Sequence, residues 1–256
     1  LAKLTSGKVH LSVKGKGKSI FKDVKGVSLH QVYGPHPAGN VGVQIGKISP
    51  INAGERVWTV TPQDVATIGE LFLTGKFNAT RTVALVGSEV KDAQYYNVIS
   101  GAAIADLVAG KIEGDNVRVI SGDVLTGTKV KMDGNLGFLS NTVTVIPEGN
   151  VYRMFGWMPF ASPSVHSASR TGLSWLMPGK KYAPNTNLNG EERALVVTGE
   201  MEAVMPLDIF PMQLLKACLA SDIDKMESLG IYEVAPEDFA LIDYTNTSKL
   251  EAQQII

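Results

Sequence analysis

Residues 82–87 read Thr-Val-Ala-Leu-Val-Gly, an apolar run rich in β-branched residues that predicts a buried strand. A second strand is predicted over Tyr95–Ile99, and a short helix is predicted over Ala102–Val108 between two glycines. Two further predicted strands cover Val117–Ile120 and Thr142–Ile146. The order strand, strand, helix, strand, strand within about 70 residues predicts a β-grasp module. We place this module at residues 79–150.

Residues 1–78, which precede this module, mix short predicted strands with glycine-rich turns. Alternating side chains predict a strand over Val9–Val13, and a strand is also predicted over Arg56–Val60. Thr61, which a proline follows, is a typical N-cap and predicts a helix that ends at Gly75. This segment is therefore expected to combine helices and strands.

Two loops of this segment have unusual compositions. Lys14–Lys18 alternates lysine with glycine, which favours a solvated hairpin tip over a phosphate site, because the strand–loop–helix spacing of phosphate loops is absent. Gly34–Gly42 contains two prolines and three glycines, which predict a loop of fixed shape rather than a helix or a strand. His36 lies within this second loop.

Residues 151–256 begin with an aromatic loop and continue into a helical region. A polar, proline-containing stretch follows the loop, and a helix is predicted over Pro211–Gly230. Its apolar face comprises Leu214, Leu215, Cys218, Leu219, Ile223, Met226 and Leu229. Another short helix is predicted to begin at Pro236. This last module is expected to be largely helical.

Composition disfavours several functional classes. The chain has 256 residues, 24 Lys and Arg against 25 Asp and Glu, and a net charge of −1, which is atypical of a nucleic-acid-binding protein. The single cysteine, Cys218, cannot form an internal disulfide, a four-cysteine zinc site or a cysteine-ligated iron–sulfur cluster. No apolar run reaches the ~20 residues of a membrane span. Leu1–Leu4 is typical of the last turn of a helix, so the chain is expected to be a fragment.

Familiar catalytic and metal-binding motifs are absent from the sequence. No dinucleotide glycine fingerprint, serine nucleophile elbow or His-Glu-x-x-His zinc motif occurs. The four histidines lie far apart in sequence without metal-ligand spacing, so each is interpreted as structural; they are His10, His30, His36 and His166. Cys218 is interpreted as a buried, unreactive thiol. No catalytic residue and no metal ligand is therefore predicted.

The aromatic loop offers the candidate binding residues. Phe155, Trp157 and Phe160 form either a packed core corner or a contact surface for a quinone or a partner protein. With His36, they are the residues that we name as candidates for such a contact.

Seven segments together resemble one family, the A subunits of the bacterial Na⁺-translocating NADH:quinone oxidoreductases. They occur in that family's order and extend over nearly the whole chain. The segments are Gly34–Gly39, Val57–Trp58 with Pro62–Gly69, Leu71–Gly75, Val119–Gly122, Phe155–Trp157, Asn189–Ala194 and Met205–Pro211. The family is similar to the C subunit of Rnf-type ferredoxin:NAD oxidoreductases and to the flavin-bearing subunit of complex I. The resemblance implies a fragment that lacks the N-terminal portion of such a subunit.

The resemblance implies an α+β fold with three modules. Residues 1–78 would be the C-terminal part of an α/β, flavoprotein-like domain without its flavin. Residues 79–150 would be an SLBB-like β-grasp, the soluble-ligand-binding module of those relatives. Residues 151–256 would be a helical domain that resembles a two-cluster ferredoxin domain without its clusters.

The sequence departs from its cluster-bearing relatives at the cluster positions. An ungapped placement puts Leu195, Thr198, Met201 and Met205 at the first set and Pro236, Phe239, Ile242 and Asn246 at the second. None of these residues can supply a thiolate to iron. We expect side-chain packing to fill the space that the clusters would occupy.

The function that the resemblance implies is that of a peripheral subunit on the cytoplasmic face of the bacterial inner membrane. Its complex would couple NADH oxidation by quinone to sodium export. The chain would hold no redox cofactor and would not be catalytic alone, while other subunits carry flavins and iron–sulfur centres. Its partners would be those subunits, especially a membrane subunit, and a quinone, but no nucleic acid. Two alternatives stay open: a stand-alone flavin- and NADH-binding oxidoreductase subunit, and a soluble ligand-binding scaffold.

Overall fold

A computed structural model of the chain describes residues 1–151, 155, 158 and 165–256. The chain forms two compact units, each assembled from separate stretches of sequence. The first comprises Leu1–Ala66, Val197–Asp243 and Glu251–Ile256; the second comprises Thr67–Val196 and Tyr244–Leu250. Helices and sheets occur together, which confirms a mixed α/β fold. The three modules with boundaries at 1–78, 79–150 and 151–256 stay a prediction.

The first unit begins with two parallel strands, β1 (His10–Lys14) and β2 (Ser28–Val32). Because these strands are parallel, the lysine–glycine segment that follows β1 cannot be the tip of a hairpin, and that prediction was wrong. The segment instead leads into a 3₁₀ helix, Ile20–Asp23, within the crossover to β2. Leu1–Leu4 forms a hydrogen-bonded turn.

Two helices follow in the N-terminal stretch. The sequence patterns missed α1 (Val41–Ile48), whereas they predicted α2 (Pro62–Thr74) and its termination at Gly75. At the start of α2, the backbone N–H of Asp64 donates to Oγ1 of Thr61 at 3.3 Å, as an N-cap requires.

The predicted strand over Arg56–Val60 is not formed. These residues are exposed and have no ladder partner among the described residues; Trp58 is 91% exposed. Alternation alone cannot make a strand, because a strand needs a neighbour that accepts its backbone hydrogen bonds.

Helix α1 packs closely against the C-terminal part of the first unit through two glycines. A Cβ atom at Gly42 would overlap the carboxylate of Asp238, and one at Gly46 would lie 2.6 Å from Cδ2 of Leu207. Between them, Val43 is buried. The missing side chains therefore allow the helix backbone to approach its neighbours.

The second unit contains the predicted β-grasp sheet. Its five strands run in the order β4-β3-β7-β5-β6, with β3 parallel to β7 and every other neighbouring pair antiparallel. The strands are β3 (Thr80–Val86), β4 (Gln94–Ile99), β5 (Val117–Ser121), β6 (Thr128–Val130) and β7 (Thr142–Pro147). The sequence patterns predicted all of them except β6.

One face of the sheet is covered by α3 (Ile104–Val108), which places three of its five side chains in the core. The core residues are Val83, Leu85, Ile104, Leu107, Val108, Val119, Leu136, Val143 and Val145. Alternation along β3 places Val83 and Leu85 in this core.

The helix predicted over Pro211–Gly230 is two helices, α4 (Pro211–Leu219) and α5 (Ile223–Ser228). The break lies at Ser221, whose φ of 55° is left-handed, and Asp222 then caps α5 by accepting the N–H of Lys225 at 3.2 Å. Leu214 and Leu215 are fully buried as predicted. Beyond them the predicted face is only partly buried: Leu219 and Ile223 are 56% and 66% exposed. Cys218, which was predicted to be buried, is half-buried, as are Met226 and Leu229.

The chain ends with a 3₁₀ helix, Pro236–Phe239, that leads into α6 (Ala240–Thr245), and then with α7 (Ala252–Ile255). Asp243 connects the last two helices. Its carboxylate accepts the backbone N–H of Ala252 at 2.5 Å and Nε2 of Gln253 at 2.8 Å. Burial nonetheless raises the pKa of Asp243. Two further 3₁₀ helices cover Leu173–Leu176 and Ile231–Glu233.

Candidate functional site

Of the four candidate contact residues, the structure describes His36 and Phe155, which belong to different units. His36 is an exposed residue of the first unit, and its bond to Pro37 is cis. Phe155 belongs to the second unit, where it is 58% exposed with a φ of 55°. Trp157 and Phe160 lie outside the described residues. Their role in a quinone or partner contact stays a prediction.

A ring cluster in the second unit does unite residues that are distant in sequence. His166 and Tyr244 stack with ring centroids 6.0 Å apart, and the Tyr244 hydroxyl lies 3.1 Å from Nδ1 of His166. Tyr182 meets His166 edge to face at 5.5 Å, and Nζ of Lys180 lies 5.4 Å from the Tyr182 ring centroid. We call these four residues the His166 cluster.

The His166 cluster combines exposed rings with a polar group that lacks a partner. His166 and Tyr244 are exposed, and burial of its hydroxyl region together with the nearby Tyr182 raises the pKa of Tyr244. The Tyr182 hydroxyl is buried and has no hydrogen-bond partner among the described residues. When the Tyr244 hydroxyl donates to Nδ1, the imidazole carries its proton on Nε2 and can donate to a carbonyl oxygen.

Sequence reasoning missed this cluster. It interpreted His166 as structural because the four histidines are far apart in sequence, and Tyr182 and Tyr244 lie 16 and 78 positions from it. Only the proximity of His166 to the aromatic loop, six residues after Phe160, could have drawn attention to it.

A carboxylate anchors the polar stretch that carries Tyr182. Glu148, at the end of β7, accepts hydrogen bonds from Arg118, from Lys129 at 3.1 Å and from the hydroxyl of Thr186 at 2.9 Å. The Arg118 hydrogen bond is the main cause that lowers the pKa of Glu148 to about 2. The Thr186 hydroxyl also accepts the N–H of Gly149 at 2.6 Å. Residues near 186 are thereby fixed to the sheet.

Most of the positions that the sequence placement aligns with iron–sulfur ligands of the relatives carry buried side chains. Met201, Met205, Phe239, Ile242 and Asn246 are each less than one-tenth exposed. The other positions, Leu195, Thr198 and Pro236, are half-buried or exposed.

Metal-binding groups are sparse in the part of the chain that the structure describes. Burial raises the pKa of the half-buried Cys218 thiol, which disfavours a thiolate. His10 and His30, interpreted from the sequence as isolated, lie side by side on β1 and β2, with Nδ1 and Nε2 2.9 Å apart. Within these described ranges no three His, Cys, Asp or Glu side chains are arranged to hold a metal ion.

A groove of about 410 Å³ lies beside β4 in the β-grasp sheet. Its wall on the helix side includes Asp106 and Lys111. Nζ of Lys111 lies 4.0 Å from the centroid of the Tyr96 ring and donates to the carbonyl of Leu107 at 2.8 Å. The groove thus has one aromatic side chain and two charged side chains in its lining.

These features define an α/β protein with a β-grasp module, and comparison with protein families agrees with this description. Residues 1–77 match the family model described as the NqrA second alpha/beta domain. Residues 82–132 match the SLBB model described as the NQRA C-terminal domain.

Curated proteins extend the similarity to the whole chain. The A subunit of the Na(+)-translocating NADH-quinone reductase of Neisseria meningitidis serogroup B is 37% identical over 252 residues, 98% of this chain and 56% of its own length. The proteins of the same name from Serratia proteamaculans and Klebsiella pneumoniae are both 39% identical, over 100% and 98% of this chain and 57% and 56% of their own lengths. The chain is thus similar to these A subunits along nearly its whole length, and it spans a little over half the length of these relatives. None of the helices in the described ranges has the length and apolar character that a membrane span requires.

Proposed function

We propose that the chain acts within a Na⁺-translocating NADH:quinone reductase as a peripheral subunit on the cytoplasmic side of the membrane. The observation that carries this proposal is the identity of 37–39% along 98–100% of the chain with proteins named as the A subunit of that enzyme. Its partners are the other subunits of the complex, including a membrane subunit. Electron transfer from NADH to quinone, coupled to sodium export, belongs to the assembled complex.

We further propose that the chain contributes no redox centre of its own. The single thiol has a raised pKa, and buried Met, Phe and Ile side chains stand at cluster positions. A purified chain should therefore be colourless. A stoichiometric flavin band at about 450 nm would instead support the alternative of a flavin-binding subunit.

The His166 cluster is the best-supported place for a quinone contact. An imidazole N–H and phenol hydroxyls can bond to quinone carbonyl oxygens, and the aromatic rings provide an apolar surface beside them. The Tyr182 hydroxyl, which is buried without a partner among the described residues, provides one such group. This contact is an addition to the subunit role and does not follow from it.

A hybrid protein tests the subunit role and, once it is assembled, the quinone contact. The matched stretch of a relative's A subunit is replaced by this chain, and the hybrid is produced in a strain that lacks its own copy of that protein. Copurification with the remaining subunits and restored Na⁺-dependent NADH:quinone reduction are expected. Failure of the hybrid to assemble would contradict the subunit role.

The quinone contact is tested separately in the assembled hybrid. His166→Gln and Tyr244→Phe should raise KM for quinone by about tenfold, the loss of one hydrogen bond. His30→Gln is the matched control, because His30 belongs to the first unit and is not a member of the His166 cluster. An unchanged KM in both cluster variants, with normal assembly, removes the quinone contact and leaves the subunit role intact.

The groove beside β4 supports a second candidate function, a ligand-binding scaffold. Lys111, Asp106 and Tyr96 supply the polar and aromatic groups that a small ligand would contact. Lys111→Met should abolish ligand-dependent thermal stabilisation in a screen of small anionic and aromatic compounds. A screen with no stabilising compound would disfavour this function.

A further inference from the structure

Positive charge is concentrated at the beginning of the chain. The first 26 residues contain seven lysines and one acidic residue, Asp23, whereas the remaining residues contain 17 basic and 24 acidic side chains. The lysines are Lys3, Lys8, Lys14, Lys16, Lys18, Lys22 and Lys25. Among the described residues, none of these ammonium groups forms an ion pair. This end of the first unit therefore carries an uncompensated charge of about +6.

Five of these lysines lie in or beside the loop between β1 and β2, and this loop is held in a defined shape. The N–H of Gly15 donates to the carbonyl of Val32 at 2.8 Å, and Gly15 lies directly against the ring of Tyr33. Nζ of Lys22 donates to the carbonyls of Gly15 and Gly17 at 3.3 and 2.9 Å. The loop is thus folded back on itself by its own lysine.

The folded loop exposes apolar side chains between its lysines. Ser19 caps the 3₁₀ helix by accepting the N–H of Phe21 at 3.3 Å, and none of the residues of this helix is buried. Ile20 is 84% exposed, with Phe21 at 38% and Val24 at 44%. An exposed isoleucine flanked by lysines is a combination that a purely solvated loop does not require.

We propose that the segment Lys14–Lys25, the lysine loop, binds the surface of an anionic lipid bilayer. Lysines attract the negative surface potential of such a membrane, and an exposed aliphatic side chain enters the boundary between headgroups and acyl chains. The two requirements occur together in this loop. A peripheral attachment built from several lysines and one or two apolar side chains is reversible and sensitive to salt.

A bilayer explains the loop better than a nucleic acid does. Binding of single-stranded nucleic acid uses aromatic platforms for base stacking, and sequence readout of duplex DNA relies mainly on arginine, asparagine and glutamine. The most exposed apolar side chain of the lysine loop is aliphatic, and the first 26 residues contain no arginine. The chain as a whole is slightly acidic.

This inference goes beyond the proposed subunit role. A protein can be attached to a membrane complex through protein contacts alone, and the lysine loop adds a direct contact with lipid. The isolated chain can therefore bind vesicles whether or not the hybrid protein assembles.

The test is cosedimentation of the purified chain with vesicles of neutral phosphatidylcholine, with and without about one-third phosphatidylglycerol. We expect binding only to the anionic vesicles, with loss in high salt. The double variant Lys16→Gln/Lys18→Gln should weaken binding about 25-fold, because each lysine near an anionic surface contributes about a fivefold factor. Ile20→Ser should weaken binding about fivefold to tenfold.

Matched controls separate the loop from general charge and apolar exposure. Lys76→Gln/Lys131→Gln removes the same charge from exposed positions of the second unit, and Ile223→Ser removes an isoleucine that is 66% exposed. Both controls should retain most of the binding. Three results overturn the proposal: no binding to anionic vesicles, equal losses in loop and control variants, or tighter binding of single-stranded DNA than of anionic vesicles under the same conditions.

Discussion

Helices α1 and α2 differ in how strongly the sequence predicts them and in whether their side chains are buried. α2 has 13 residues, a threonine N-cap and apolar side chains at helical spacing, yet none of its residues is buried; Phe72 and Leu73 are 70% and 89% exposed. α1 has eight residues, two of them glycine, and it buries Val43 to 6% exposure. The weaker helix former is therefore the helix that packs.

The difference separates two requirements that are often treated as one. Capping, length and propensity decide whether a segment becomes helical, and α2 meets all three. Packing depends on how closely the helix backbone can approach a neighbour. In α1, Gly42 and Gly46 permit this approach toward Asp238 and Leu207. Most helical stability in proteins comes from such packing rather than from propensity.

The largest expected effect on the free energy of unfolding comes from adding a Cβ atom where α1 approaches its neighbour. Gly42→Ala should lower the free energy of unfolding by about 2–3 kcal/mol, because its Cβ would overlap the buried Asp238 carboxylate. The matched variant is Gly69→Ala in α2, where no atom lies within 4 Å of the added Cβ. It should be neutral or stabilising by up to about 1 kcal/mol, since alanine is the better helix former. Urea unfolding of both variants gives the comparison, and equal destabilisation would show that close approach is not what distinguishes the two helices.

A smaller effect is expected from truncating one apolar side chain on each helix. Val43→Ala in α1 should cost about 1–2 kcal/mol, because two buried methyl groups are lost. Leu73→Ala in α2 should change the free energy of unfolding by less than about 0.5 kcal/mol, because that side chain is already in solvent. Thermal melts of the two variants measure the difference. A large loss in Leu73→Ala would mean that α2 is covered in solution.

Local patterns predicted the strands whose side chains alternate into a core and missed a strand that has no such pattern. Alternation predicted β3, β4, β5 and β7, whose side chains fill one core. It missed β6, which has three residues and forms because β5 offers it hydrogen bonds.

Local sequence patterns also failed to predict one strand pairing and one helix break. The parallel pairing of β1 with β2 is a choice of neighbour that composition does not encode, so the local pattern places the lysine loop in a hairpin. The division between α4 and α5 depends on a left-handed serine, which has no strong sequence signal.

The candidate site was predictable only in part for a related reason. A search of the sequence finds clusters of neighbouring residues, such as the aromatic loop around Phe155. The His166 cluster joins side chains that the chain brings together from far apart, and the His10–His30 pair does so across two parallel strands. Proximity of this kind follows from topology, which the family resemblance supplied only at the level of modules.

The smallest expected effect on stability concerns the carboxylate of Asp238, which lies against Gly42 of α1. Asp238 is 5% exposed; its Oδ2 accepts the N–H of Ala235 at 2.9 Å, and its Oδ1 has no hydrogen-bond partner in the described part of the chain. Burial raises the pKa of Asp238 above its ordinary value of 3.8. The folded state therefore favours the protonated carboxyl: the associated stability is fully present below pH 3.8 and is lost as the pH rises through the folded pKa.

Asp238→Asn removes this ionisation while its carbonyl oxygen can still accept from Ala235. At pH 7 the variant should be more stable than the parent by about 0.5–1 kcal/mol. Near pH 4 this difference should shrink, because a larger fraction of the parent then carries the neutral carboxyl. Asp224→Asn, at an exposed position of α5, is the control and should show no such pH-dependent gain. Urea unfolding at the two pH values measures the difference. If Asp238→Asn gains nothing on going from pH 4 to pH 7, the carboxylate is not held in a buried, unfavourable environment, and the contact between α1 and the 3₁₀ helix depends on the absence of a Cβ at Gly42 alone.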